Sequence, residues 1–328
     1  VAAVAAGFMA LGIQASAQLV NQRDVLNQDF DVFIDRLSGR WGNMDQFFFQ
    51  SRLGIDADRA LPLAHVVFAP VTGEADAAKA FYGRYEIVRG GAVRVIERLI
   101  SAAPDYDTHA ITVRAFTRQT DAQPLDLHLV GGASRSFNPD DWSEAPVCEI
   151  IWQRSGSQFT GRASGTDCAE LKLLDAPIDP ENGDRTLGED DFWIPLSTAK
   201  GPRGVGYVDH LRLRRANLFD CRINIVVADA QKVEWGGLRV KEFDTWTDLR
   251  VHDQGGEAWV DTKDDPSRRL GFRLHNVRWP FGESENSRGI FLLDASKPDD
   301  GRGVAYASSS PDSDRIALSN RDASVTCY

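Results

Sequence analysis

Four cysteines, Cys148, Cys168, Cys221 and Cys327, constrain the chemistry of this chain most directly. An even number in an exported chain suggests disulfides, and their order divides naturally into Cys148–Cys168 and Cys221–Cys327; four buried thiols are the alternative. No C-x-x-C occurs, so the spacing does not indicate zinc. The six histidines, His65, His109, His128, His210, His252 and His275, show neither H-x-H nor H-E-x-x-H spacing, and no metal site is expected. Asp179 to Asp191 is rich in carboxylates but lacks the ligand order of an EF-hand. Gly201-Pro202-Arg203-Gly204-Val205-Gly206 imitates a dinucleotide loop, but it contains a proline and no helix pattern follows it. Neither a P-loop nor a G-x-S-x-G nucleophile elbow is present.

The 328 residues carry a net charge of -11, and 42% are hydrophobic. That composition supports a packed core rather than disorder. An acidic surface repels phosphate backbones and anionic headgroups, which argues against nucleic acid and anionic lipid as partners. Val1 to Gln18 is uncharged and apolar, and Ala15-Ser16-Ala17 has the A-x-A form of a signal-peptidase site. Residues 1–17 therefore read as the remnant of a signal peptide, with a periplasmic or secreted mature chain. An alanine-rich first helix is the alternative. No later segment is long and apolar enough to span a membrane.

The elements that must position any site follow from periodicity. Phe30, Phe33, Ile34 and Leu37 line one face of a helix that ends at Gly39. A second short helix spans Asn43 to Arg52, with Asn43 as N-cap. From Leu63 the pattern is strand-like: Leu63–Ala69, Tyr82–Val88, Ala92–Leu99, His109–Phe116, Val147–Gln153, Gln158–Arg162, Cys168–Leu174 and Phe192–Leu196. In His109–Phe116, Ile111, Val113 and Ala115 share one face and Arg114 lies on the other. Asp175 to Asp191 reads as a polar loop. The Gly/Pro stretch Lys200 to Gly204 reads as a boundary, with residues 22–198 as a barrel domain and 205–328 as a second β-rich domain. Many short strands at this spacing indicate a barrel or sandwich.

Five pieces, in order, carry a family resemblance. Gly39, Trp41, Asn43 and Gln46 lie in Leu37-Ser38-Gly39-Arg40-Trp41-Gly42-Asn43-Met44-Asp45-Gln46, which resembles the opening motif of the CpcT/CpeT chromophore lyases, with Met44 where the family has Arg. Phe81-Tyr82-Gly83-Arg84 stands where the family has Tyr-Arg-Gln-Arg, and Arg84 matches its second arginine. Pro146-Val147-Cys148, Phe159-Thr160-Gly161 followed by Cys168, and Gly188-Glu189-Asp190-Asp191-Phe192 resemble later family segments.

The resemblance covers about Phe30 to Leu196 and implies a mainly β, calycin-like antiparallel barrel with N-terminal helices that holds a bilin, a linear tetrapyrrole. A bilin's propionates want arginines, for which Arg84 and Arg114 are the candidates. Its conjugated plane wants aromatic walls, here Trp41, Phe81, Tyr82 and Trp152. Transfer to a thiol wants an acid, here Asp190 or Asp191. Lyase activity would also require a protein acceptor, and the family allows a homodimer. Two further readings stand beside it: a non-catalytic exported protein that binds a planar or apolar ligand, and an envelope structural protein with a filled core. An interior filled by Trp41, Phe81 and Trp152 favours the last. An inward Arg84 beside an open cavity favours the others.

Overall fold

The computed structural model describes residues 21–55, 60–71, 79–89, 92–119, 139–164, 184–195, 210–227, 233–235, 238–240, 243–263, 265, 268–278, 286–297 and 303–328. The segment read as a signal peptide, the glycine pair Gly90-Gly91, the strand expected at Cys168–Leu174 and Lys200 to Gly204 lie outside these residues. No described helix is long and apolar enough to cross a membrane.

The chain begins with α1 (Gln22–Leu37), β1 (Gly39–Gly42) and α2 (Met44–Arg52). β2 (Leu63–Pro70), β3 (Lys79–Arg89), β4 (Ala92–Asp105), β5 (Ala110–Thr117), β6 (Cys148–Ser155), β7 (Gln158–Ser164), β8 (Asp184–Leu187), β9 (Asp191–Pro195) and β10 (His210–Arg215) follow. These ten strands form a closed antiparallel barrel in the order β1-β10-β9-β8-β7-β6-β5-β4-β3-β2. Two of them correct the sequence reading. β8 lies inside the stretch read as a polar loop. β10 lies past the expected boundary, so the barrel extends beyond residue 198 and takes one of its two closing neighbours from there.

Alternation along each strand sorts side chains inward and outward. Trp41, Phe68, Phe81, Tyr85, Ile111, Val113, Trp152, Phe159, Phe192 and Leu213 join one buried cluster. Its rings touch across the barrel. Phe33 lies 5.3 Å from both Trp152 and Phe159, and Phe192 lies within 6.3 Å of Trp41, Phe68 and Trp152. Helix α1 closes one end. Asn21 caps it by accepting from the Arg23 amide, and its buried residues Leu26, Phe30, Phe33 and Leu37 face the strands. Arg36 Nη1 donates to the Ser157 carbonyl at 2.6 Å, in the β6–β7 turn, and Arg215 Nη2 donates to the Arg36 carbonyl at 2.5 Å. Burying each such phenylalanine is worth about 1.5–3 kcal/mol.

Only Ala216 and Asn217 separate β10 from the next strand, β11 (Leu218–Val226). Then come β12 (Val233–Trp235), β13 (Leu238–Val240), β14 (Phe243–His252), β15 (Gln254–Asp261), β16 (Arg269–Val277), β17 (Ser287–Asp294), β18 (Ala305–Ser309), β19 (Ile316–Ser319) and β20 (Ala323–Cys327). β12 and β13 form a hairpin. The sheets β14-β11-β20-β19 and β15-β16-β17-β18 share one core that includes Phe219, Ile223, Phe272, Leu274, Ile290 and Val325. A disulfide joins Cys221 to Cys327, which face each other across β11 and β20. Cys148 is also disulfide-bonded, while Cys168 lies outside the described residues.

Three rings lie over glycines directly across the strand pair: Trp152 over Gly161, Trp259 over Gly271 and His275 over Gly289. A Cβ on Gly161 would sit 2.5 Å from the Trp152 ring. Gly161→Ala is therefore expected to destabilise the barrel by about 1–3 kcal/mol through overpacking, read as a lower urea midpoint at unchanged slope. An unaltered midpoint would mean that the indole does not rest on this glycine.

Candidate functional site

The candidate ligand residues divide between the two faces of the barrel wall. Trp41, Phe81 and Trp152 point inward and are each at most 2% exposed. Trp41 Nε1 donates to the Leu37 carbonyl at 3.1 Å, and the Arg215 guanidinium lies 4.7 Å from the Trp41 ring centre. Tyr82 and Arg84 occupy the opposite parity of β3 and point outward. Tyr82 stacks on Trp142 at 5.8 Å, in a small cluster with Val67, Ala69 and Leu99. Arg84 bonds Glu86 at 2.7 Å and lies 3.4 Å from Glu97, which also pairs with Arg118. With Val95, Ile96, Arg98 and Arg118 it lines a surface hollow of about 470 Å³. Arg114 is half-exposed on the outer face and pairs with Glu149 at 2.8 Å. The expectation that Arg84 and Arg114 reach an enclosed ligand is therefore corrected by strand parity: each shares its face with carboxylate partners, not with the interior aromatics.

Asp190 and Asp191 lie at the β8–β9 turn, at the α1 end and outside the barrel. Asp191 Oδ1 is 3.3 Å from Arg214 Nη1, and Asp190 Oδ2 is 4.0 Å from Arg278 Nη2. The Asp190 carbonyl accepts from the Arg215 amide at 2.9 Å. The structure thus does not bring the candidate acids together with Arg84. Among the described residues no cluster of three or more His, Cys, Asp or Glu side chains is placed to hold a metal.

The opening motif serves barrel closure. Asn43 is fully buried, and its side chain does not cap α2 as expected. Its Nδ2 donates to the Pro62 carbonyl at 2.9 Å, and its Oδ1 accepts from the Ala64 amide at 2.7 Å, which fastens the start of β2. Gln46 bonds the β10 backbone at both ends of its amide, to the His210 carbonyl at 2.9 Å and the Arg212 amide at 3.2 Å. These residues grip the two neighbours of β1.

Sequence reasoning missed Arg185. It shares the inward face of β8 with Leu187, is fully buried, and stands across from Gly161, itself across from Trp152. The signal was present: Asp184-Arg185-Thr186-Leu187 alternates like a strand, with a charge at an inward position.

A second feature lies where the barrel meets the C-terminal sheets. Asp190, Arg214, Arg215, Asn217, Gln254, Asn276 and Arg278 line a cavity of about 120 Å³. Its neighbourhood is tied by buried polar groups. Asp45 on α2 pairs with Arg214 at 2.8 Å and accepts from the Arg278 amide at 3.2 Å. Asp253, between β14 and β15, is fully buried, accepts from the Asn217 backbone at 2.9 Å and lies 3.8 Å from Arg288. His65 Nε2 is 2.8 Å from the Gln254 carbonyl oxygen, and Phe48 meets His275 edge-on at 5.7 Å.

Burial pushes the Asp45 carboxyl up to about 6, against the opposing pull of Arg214 and Arg278. Burial, with Arg273 and Arg52 nearby, pushes His275 down to about 4. The two have opposite linkage. Asp45 contributes stability that is present below about 4 and lost as pH rises through about 6. His275 contributes stability that is present above about 6.5 and lost as pH falls through about 4. Comparison of Asp45→Asn with the parent isolates the first. The difference in unfolding free energy should move in favour of the variant by up to about 3 kcal/mol between about pH 4 and 7. A pH-independent difference would show that Asp45 ionises normally in the folded protein.

No family model matches the chain, and comparison with curated proteins finds no relative.

Proposed function

We propose that this chain is a non-catalytic binding and structural protein that works outside the cytoplasm, built on a barrel similar to that of the CpcT/CpeT lyases but without bilin-transfer chemistry. One observation carries this reading: the interior is spanned by touching rings of Phe33, Trp41, Phe68, Trp152 and Phe192, while Arg84 turns outward onto Glu86 and Glu97. A bilin needs an open lumen with a cationic grip and an acid at the same place. Asp190 and Asp191 instead sit on the outside with Arg278 and Arg214. The Cys221–Cys327 disulfide supports an oxidising compartment.

A second reading keeps the lumen as a ligand site, and one row of residues favours it. Trp152, Gly161 and Arg185 stand side by side on the inward wall. The buried Trp152 Nε1 has no hydrogen-bond partner among the described residues. An unpartnered indole N–H in this row suits a planar ligand that carries a hydrogen-bond acceptor.

Titration of the full chain with biliverdin, followed by visible absorbance, separates the two. The scaffold reading expects no red-shifted band for the parent chain or for Arg84→Ala. A red-shifted band that persists in Arg84→Ala and disappears in Arg185→Met would replace it with the lumen reading. Covalent transfer of the bilin to a phycobiliprotein subunit would restore the lyase.

A further inference from the structure

The cavity between the barrel and the C-terminal sheets brings three guanidinium groups and two unmatched acceptors into the same small space. Three guanidinium groups line it, against the single lining carboxylate of Asp190. Arg214 is neutralised by Asp45 at 2.8 Å and Asp191 at 3.3 Å. Arg215 donates to the Ser38, Arg36 and Glu189 carbonyls, and the Asp35, Asp190 and Glu189 carboxylates lie within electrostatic reach of it. Arg278 lies 4.0 Å from Asp190 and within electrostatic reach of Asp45. Guanidinium groups that line a partly enclosed polar site offer donors suited to the planar geometry of a carboxylate.

The acceptors point to the rest of the ligand. Gln254 and Asn276 line the same cavity and are 2% and 7% exposed. Their amide oxygens, Gln254 Oε1 and Asn276 Oδ1, have no hydrogen-bond partner among the described residues. The orientation of Asn276 is fixed from behind, because its side chain donates to Asp253. Asn217 does the same, with Nδ2 3.3 Å from Asp253 Oδ2. The buried Asp253 thus holds the donor ends of both asparagine amides and leaves their oxygens to other partners. A buried acceptor without a donor is destabilising, so a bound group carrying O–H donors would be stabilised here. An ammonium donor would be repelled by the arginines, whereas a hydroxyl would not.

Size narrows the class further. The cavity of about 120 Å³ has room for about four waters at ~30 Å³ each, which suits a group of a few heavy atoms. Asn217 and Asp190 are exposed and form its solvent side. We propose that this junction cavity is a binding site for a short hydroxy acid, with the carboxylate on Arg278 and the hydroxyls on Gln254 and Asn276. The site is independent of the barrel lumen and of whether the lumen holds anything. Such a ligand would bridge β10, which closes the barrel, to β15 and β16, and so would tighten the contact between the two halves.

Calorimetric titration of the full chain with D-glycerate tests this, with propanoate and glycerol as probes lacking the hydroxyls and the carboxylate respectively. Glycerate should bind, and each truncated probe should bind at least about tenfold more weakly, because a site built around hydrogen bonds rejects analogues that leave its groups unpaired. Arg278→Gln and Gln254→Met, checked for folding by near-ultraviolet circular dichroism, should each weaken glycerate by about tenfold or more. Absence of glycerate binding, equal binding of all three probes, or folded variants that bind normally would each overturn the proposal. Should a variant fail to fold, the three-probe comparison on the unaltered chain decides.

Discussion

The barrel depends on a four-residue strand. β1 runs only from Gly39 to Gly42, yet it is hydrogen-bonded to β2 on one side and to β10 on the other, and without it the sheet has two open edges. A strand this short contributes few ladder bonds, so its position is held by side chains at its ends. Trp41 anchors it from inside, bonded to α1 and covered by Arg215. Asn43 holds the β2 side and Gln46 the β10 side. Closure removes exposed sheet edges, which otherwise invite pairing with other chains. Trp41, Asn43 and Gln46 therefore each have a structural role in closing the barrel.

The same closure puts the two halves in contact. Asn43 directly precedes α2, whose Asp45 and Phe48 reach Arg278 and His275 beyond the barrel. Gly42, the last residue of β1, lies so close to Gln254 that a Cβ would meet it at 2.7 Å. One short segment thus closes the barrel and seats the C-terminal sheets. The polar groups there are buried, so their protonation is coupled to how tightly that contact is made.

Much of this architecture was legible because strand alternation is a strong signal. Ile111, Val113 and Ala115 were assigned to one face of β5, and all three lie in the core. The Cys221–Cys327 pairing follows instead from the order of the cysteines, and the face of Phe30 and Phe33 from helical spacing. What failed has physical causes. β8 was hidden because Arg185 places a charge at an inward position, and a polar flank then looks like a loop. The sequence shows Asn43 only by its place before a helix, which suggests a cap, while its partners at Pro62 and Ala64 come from a distant segment. The site residues suffered most. Parity along β3 separates Phe81 from Tyr82 and Arg84, and family likeness does not specify which face a substituted motif presents. The Gly/Pro stretch was a plausible linker, but Ala216 and Asn217 make the actual passage from barrel to sheets.

That two-residue passage has a mechanical consequence. Cys221 lies just beyond it on β11, and its sulfur partner, Cys327, is 106 positions later. Tension applied between the barrel and a point past Cys327 would run through β10, the short connector and the covalent crosslink. The intervening sheets would carry almost none of that force. The crosslink acts as a bypass, and under stretching strain would fall first on the start of β11 against β14 and then on β10 against its barrel neighbours β9 and β1.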